Sequence, residues 1–227
     1  MTFPDATALD VGIRDAQTRD AITPDMDADM SQDAIARDVG DVGPFDAGPC
    51  DPTPRAPQPG DLVVNEILSD PAATIAGDAN ADGTRDSSDD EFVEIGNVSG
   101  STLELSGVIV SDSAAQRHVF ASRTLGCGDV VVVFGGGDPS GAAWNAHWVP
   151  ASSGGLSLNN GGDRVRIGSS ALNLEDLAFA DYGSEADSDQ SVVRERELDP
   201  TAALVQHRSV APGRSFSPGV RSDGSAF

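Results

Sequence analysis

The chain has 227 residues, enough for one ordinary domain with a tail or for two small domains. Its 37 acidic residues outnumber 14 bases, all of them Arg, for a net charge of −23. That charge repels phosphate backbones and anionic membrane surfaces, so nucleic acid is not an expected partner. The longest apolar run, Val130–Phe134, is far short of the roughly 18 residues that a membrane-spanning helix needs.

The first residues, Met1-Thr2-Phe3-Pro4-Asp5, carry neither a basic nor an apolar leader segment. Taken alone, that start reads as cytoplasmic. Residues 1–60 hold twelve Asp, no Glu and four Arg, a net charge of −8. Asp recurs every fifth position at Asp5, Asp10, Asp15, Asp20 and Asp25. A period of five matches neither helix nor strand, so no apolar face can form. With too little apolar surface to offset the entropy of ordering, and with like charges repelling, residues 1–59 are expected to be a disordered, extended spacer. Its end, GPCDPTPRAPQPG over 48–60, reads as a stiff Pro-rich linker.

From Leu62 the pattern changes. DLVVNEIL, EFVEI, TLELSGVIV, RHVFA, DVVVVF, LSLNN and RVRIG are short β-rich segments separated by Gly, Asn, Asp and Ser. Strands at this spacing predict an all-β sandwich or barrel. LNLEDLAF at 172–179 fits neither period well and is assigned as a strand from its context.

Between the first two strands lies GDANADGTRDSSDDEF, residues 77–92. As a calcium loop it places Asp78, Asn80, Asp82, Thr84, Asp86 and Asp89 at positions 1, 3, 5, 7, 9 and 12, with Gly83 at position 6. Ca²⁺ takes six to eight oxygens, and alternating side chains with a Gly at the turn wrap the backbone around it. Thr84 would contribute its carbonyl oxygen. Arg85 at position 8, where helical calcium loops are aliphatic, argues against a helix-loop-helix hand. Asp89 in place of a bidentate Glu resembles the loops of dockerin-like modules. Six carboxylates between Asp78 and Glu91 against one Arg would repel one another without a cation. A structural calcium ion is therefore expected, the alternative being a solvated acidic hairpin tip.

Cys50 in the linker and Cys127 in a turn are either free thiols or a disulfide. The disulfide is expected. It closes a loop of about 77 residues, staples the end of the spacer to the sandwich, and implies an oxidising compartment.

The strand segments form an ordered series of motifs. Val64-Asn65-Glu66-Ile67, Glu91-Phe92-Val93-Glu94-Ile95-x-Asn97 and Leu105-Ser106-Gly107-Val108-x-Val110-x-Asp112 come first. Gly128–Phe134, Leu156–Val165, Gln190–Arg194 and Ser217-Pro218-Gly219 follow. Together the series resembles the lamin-tail domain in its bacterial form, over about residues 60–219. Val108 departs from the family's usual Trp or Tyr. The resemblance implies an immunoglobulin-like β-sandwich over 60–219, a short tail at 220–227, and no catalytic residues to carry over. It also implies a binding or tethering module on a secreted or surface protein, with an acidic insertion between the first two strands. The acidic spacer resembles those behind lipid anchors, so Met1 is read as a late start or fragment boundary, with any signal peptide or anchor upstream. The expected partner is a cell-surface, polysaccharide or protein ligand.

The alternative is a calcium-dependent secreted hydrolase with an atypical carboxylate site. Glu66, Glu91 and Glu94 are its candidate acids. The three histidines, His118, His147 and His207, lie in no HExxH motif, and no GxSxG is present. Gly135-Gly136-Gly137 lacks the Lys and Ser/Thr of a phosphate loop and reads as a strand-end loop.

Overall fold

A computed structural model describes residues 49–139, 147–170 and 174–227. The spacer expected over 1–59 therefore lies, for residues 1–48, outside the described residues. The strands are β1 (Asp51–Arg55), β2 (Leu62–Leu68), β3 (Phe92–Asn97), β4 (Ser101–Glu104) and β5 (Val108–Ser111). They continue with β6 (Gln116–Val119), β7 (Thr124–Leu125), β8 (Val130–Phe134), β9 (His147–Pro150) and β10 (Asp163–Ser169). The last three are β11 (Leu174–Tyr182), β12 (Val192–Arg194) and β13 (Leu204–Gln206), followed by one helical turn, α1 (His207–Val210). The fold is the expected immunoglobulin-like β-sandwich.

Three sheets build it, with strand orders β13-β12-β2-β3-β8-β9, β11-β10-β5-β6 and β1-β4-β7. Alternate residues of β3 and β8 point inward, as do Val64 and Ile67 on either side of a register shift in β2, so that Val64, Ile67, Val93, Ile95, Val131 and Val133 meet Val108, Val110, Val165 and Ile167 of the four-stranded sheet. Val108 fills its place in this core at 1% exposure. The Leu172–Phe179 segment, assigned to a strand by context, belongs to β11 where it is described.

The six-stranded sheet is also covered on its outer face. Leu68, Phe92, Val132 and Phe134 pack there with Trp148 and Phe216, while Val63 and Val130 pack with Leu198 and Phe227. Burial on both faces explains why Val130–Phe134 is apolar throughout rather than alternating. The eight residues read as a C-terminal tail are part of this cover: Phe227 packs near Leu198 and stacks under the Arg221 guanidinium at 5.0 Å.

The linker reading also needs correction. Asp51–Arg55 is strand β1, parallel to β4 at a sheet edge, where Pro52 and Pro54 are tolerated because an edge strand can leave donors unpaired. The Cys50–Cys127 disulfide, with Cα atoms 5.8 Å apart, holds its start, and an Arg55–Asp61 ion pair holds its end.

Candidate functional site: an acidic loop and a buried carboxyl pair

The loop between β2 and β3 folds around its own carboxylates. Asp78 Oδ2 accepts from the Gly83 amide (3.0 Å), Asn80 Oδ1 from Asp82 (3.0 Å) and Asp82 Oδ1 from Thr84 (2.8 Å). Asp86 Oδ1 accepts from the amides of Ser88 and Asp89. Each bond closes a tight turn of the chain, and Gly83 takes a left-handed backbone at φ +88°. Arg85 reaches back to the carbonyls of Pro71 and Ala72, so it staples the loop's middle to its entrance.

Asp90, outside the expected ligand set, is the fully buried clasp of the loop. Its Oδ1 accepts from the Ala79 and Asn80 amides and its Oδ2 from Asp86. The Gly135–Gly137 run packs directly on the loop, where any Cβ would collide with Ser88, Asp89, Asn80 or Asp82. The Asp138 amide donates to Asp82 Oδ2, and Asn80 donates to the Gly136 carbonyl.

Of the expected ligands, Asp82, Asp86 and Asp89 are neighbours. Burial, then the charges of Asp86 and Asp82, push Asp89 above the usual carboxylate range. Asp78 Oδ1 is buried without a hydrogen-bond partner. Thr84 is exposed, with its amide on Asp82. Among the described residues, no three His, Cys, Asp or Glu side chains form a cluster that would hold a metal by themselves. A cation here would draw also on Asn80 and on backbone carbonyls.

The second site brings together two of the three candidate acids, Glu66 and Glu94, and leaves Glu91 apart. Glu66 on β2 and Glu94 on β3 are register partners on the outer face, both 0% exposed. Glu66 Oε1 accepts from the Ser191 hydroxyl (2.5 Å) and the Ser217 amide (2.9 Å), and its Oε2 lies 2.8 Å from Ser217 Oγ. Glu94 accepts from Asn65 Nδ2 (2.8 Å) and the Gly219 amide (2.6 Å). His207 Nε2 is 3.0 Å from Ser217 Oγ and 4.0 Å from Glu66. Burial raises both carboxyls, Glu66 to about 7 and Glu94 well above its ordinary value, the latter pushed further by Glu66.

Glu91 stands apart at the sandwich end. It accepts from the Leu158 amide, and burial lifts it to about 7. His118 is buried against Phe120 with Nδ1 accepting from Ser152, and burial lowers it to about 4. His147 is exposed on β9.

A comparison with curated proteins returned no match. The lamin tail domain model matches residues 55–184, which is more than half of the 227-residue chain, and the chain belongs to that family.

Proposed function

We propose that the chain is a non-catalytic binding and tethering module displayed outside the cell, with calcium held as a structural ion by loop 78–89. Its partner is a cell-surface, polysaccharide or protein ligand. The disulfide supports export, because such bonds persist in oxidising compartments. The self-turning loop and the unclaimed Asp78 Oδ1 support a cation, since oxygen-rich turns of this kind suit Ca²⁺.

One observation carries the non-catalytic reading. The carboxyls that a glycoside-hydrolase mechanism would pair, Glu66 and Glu94, are sealed under residues 191–219 with their oxygens in hydrogen bonds. Catalysis needs one such group to reach substrate and another to reach water or the anomeric carbon. The test is a hydrolysis panel of polysaccharides, nucleic acid and peptides, in calcium and in EDTA. Inertness throughout is expected; turnover lost in a Glu66→Gln or Glu94→Gln variant that remains folded would establish the calcium-dependent hydrolase instead.

A further inference from the structure

The carboxyl pair has a consequence for the segment that covers it. Glu66 and Glu94 lie side by side without solvent, and among the described residues no Arg comes within ion-pair distance of either. Arg194, on the adjoining β12, turns its guanidinium to the carbonyls of Val64 and Ala202. Glu197, from the β12–β13 connection, adds a third negative group, and its own cation is Arg221 at 3.9 Å. From α1 comes His207, whose neighbours Arg214 and Arg208 oppose its protonation after burial has already lowered it. Two adjacent carboxylates in such a place cannot both stay charged.

The hydrogen bonds show where one proton goes. The Arg214 carbonyl can only accept, so His207 Nδ1, 3.2 Å away, carries hydrogen. In the neutral ring, Nε2 then accepts from the Ser217 hydroxyl at 3.0 Å. That hydroxyl has one proton, and Glu66 Oε2 lies 2.8 Å from Ser217 Oγ, so with Nε2 as the acceptor the proton in that contact belongs to Glu66. Glu94 has both oxygens facing donors and takes the charge.

We propose that Glu66 and Glu94 are a proton-held latch for the C-terminal segment: a proton on the pair keeps residues 207–219 closed over the sheet, and its loss to solvent at alkaline pH opens them. The same segment supplies Phe216, edge-on to Phe92 at 6.5 Å, so opening uncovers apolar surface on β3. Loss of one coupled proton changes the open population about tenfold per pH unit.

Two measurements on the full chain at constant calcium test this. The side-chain carboxyl carbons of Glu66 and Glu94, followed by NMR, should show a protonated group at pH 6 that ionises only near or above neutrality. Protection of the Ser217 and Gly219 amides from hydrogen exchange should fall about tenfold per pH unit as pH rises from the ordinary carboxylate range to that point, and level off above it. Glu66→Gln, which keeps the donor on the Ser217 side, should hold that protection at pH 9. Ordinary acidic titration of both carboxyls, or equal protection in the parent at pH 6 and 9, would overturn the latch. If Glu66→Gln does not fold, the carboxyl titration of the parent decides alone.

Discussion

Glu66 and Glu94 are wholly buried, with their oxygens held by side chains and amides up to 151 residues away. Asp86 is exposed and Asp78 and Asp82 are half-buried, and their partners are mostly amides two to five residues along. Both regions concentrate negative charge, and each must dispose of it. The buried pair keeps a proton, because water and cations are excluded. The loop commits its carboxylate oxygens to backbone amides and leaves one oxygen of Asp78 without a hydrogen-bond partner. On the proposed reading, burial thus decides whether crowded acids are met by protons or by a cation. Acidification should favour the first region, and calcium the second.

The Cys50–Cys127 bond belongs to neither region and provides the control with the largest effect. Replacing both cysteines with Ser should cost about 4–5 kcal/mol by the loop-entropy estimate for 77 residues. Urea unfolding measures the loss. Calcium and pH responses should survive it; a variant that lost either response would show that the two regions depend on the staple.

Glu94→Ala should be next in size. It leaves the Asn65 side-chain amide and the Gly219 amide buried without acceptors, at roughly 1–3 kcal/mol each, partly offset by easier ionisation of Glu66. An unfolding free energy in urea lowered by about 2–4 kcal/mol is expected, with the calcium response intact. A loss under about 0.5 kcal/mol, the size of an ordinary surface substitution, would mean the outer face is not held by this pair.

The pH dependence sharpens the contrast further. Burial lifts Glu66 and Glu91 to about 7 in the fold and holds Glu94 well above its ordinary value, all above the unfolded value of about 4.5. Their contribution is complete below that unfolded value and fades as pH rises through 7 and beyond. The slope is up to about 1.4 kcal/mol per unit for each proton lost. Asp112 works the other way. Burial raises it, but Arg117 and the Ala115 and Ala114 amides outweigh burial, so its stability is lost as pH falls below the ordinary carboxylate range. Unfolding free energy should therefore peak in mildly acidic solution and decline from there through about pH 7. A maximum above pH 8 would contradict the protonated pair.

The sequence made one region legible and not the other, and distance explains the difference. Loop 78–89 can be read because its bonds are local: spacing alone places each carboxylate beside the amide that it accepts from. The strands were legible from their β-branched runs, and the Cys pair from its position at the linker and a turn. Asp90 was overlooked because its partners Ala79 and Asn80 lie ten or eleven residues back, outside the alternating pattern. Glu66 and Glu94 were named together with Glu91 as candidate acids, but Ser191, Ser217 and Gly219 were visible only as motif letters, and nothing local says that they converge on the pair. Strand β1 was hidden for a related reason. Its residues are mostly exposed and rich in Pro, and it is ordered by a disulfide and an ion pair rather than by an apolar face.

The most direct test of the division between proton and metal is the melting temperature of the parent and of Asp82→Ala, each at pH 7 in millimolar calcium and in EDTA. Extracellular calcium modules bind at roughly 10⁻⁴–10⁻³ M, and calcium at ten times its dissociation constant stabilises by about 1.4 kcal/mol. The parent should melt several degrees higher in calcium than in EDTA. Asp82→Ala should melt at one temperature in both, close to the parent in EDTA, since the loop lies outside the sandwich core. A parent indifferent to calcium would contradict the metal assignment and leave loop 78–89 a solvated acidic tip.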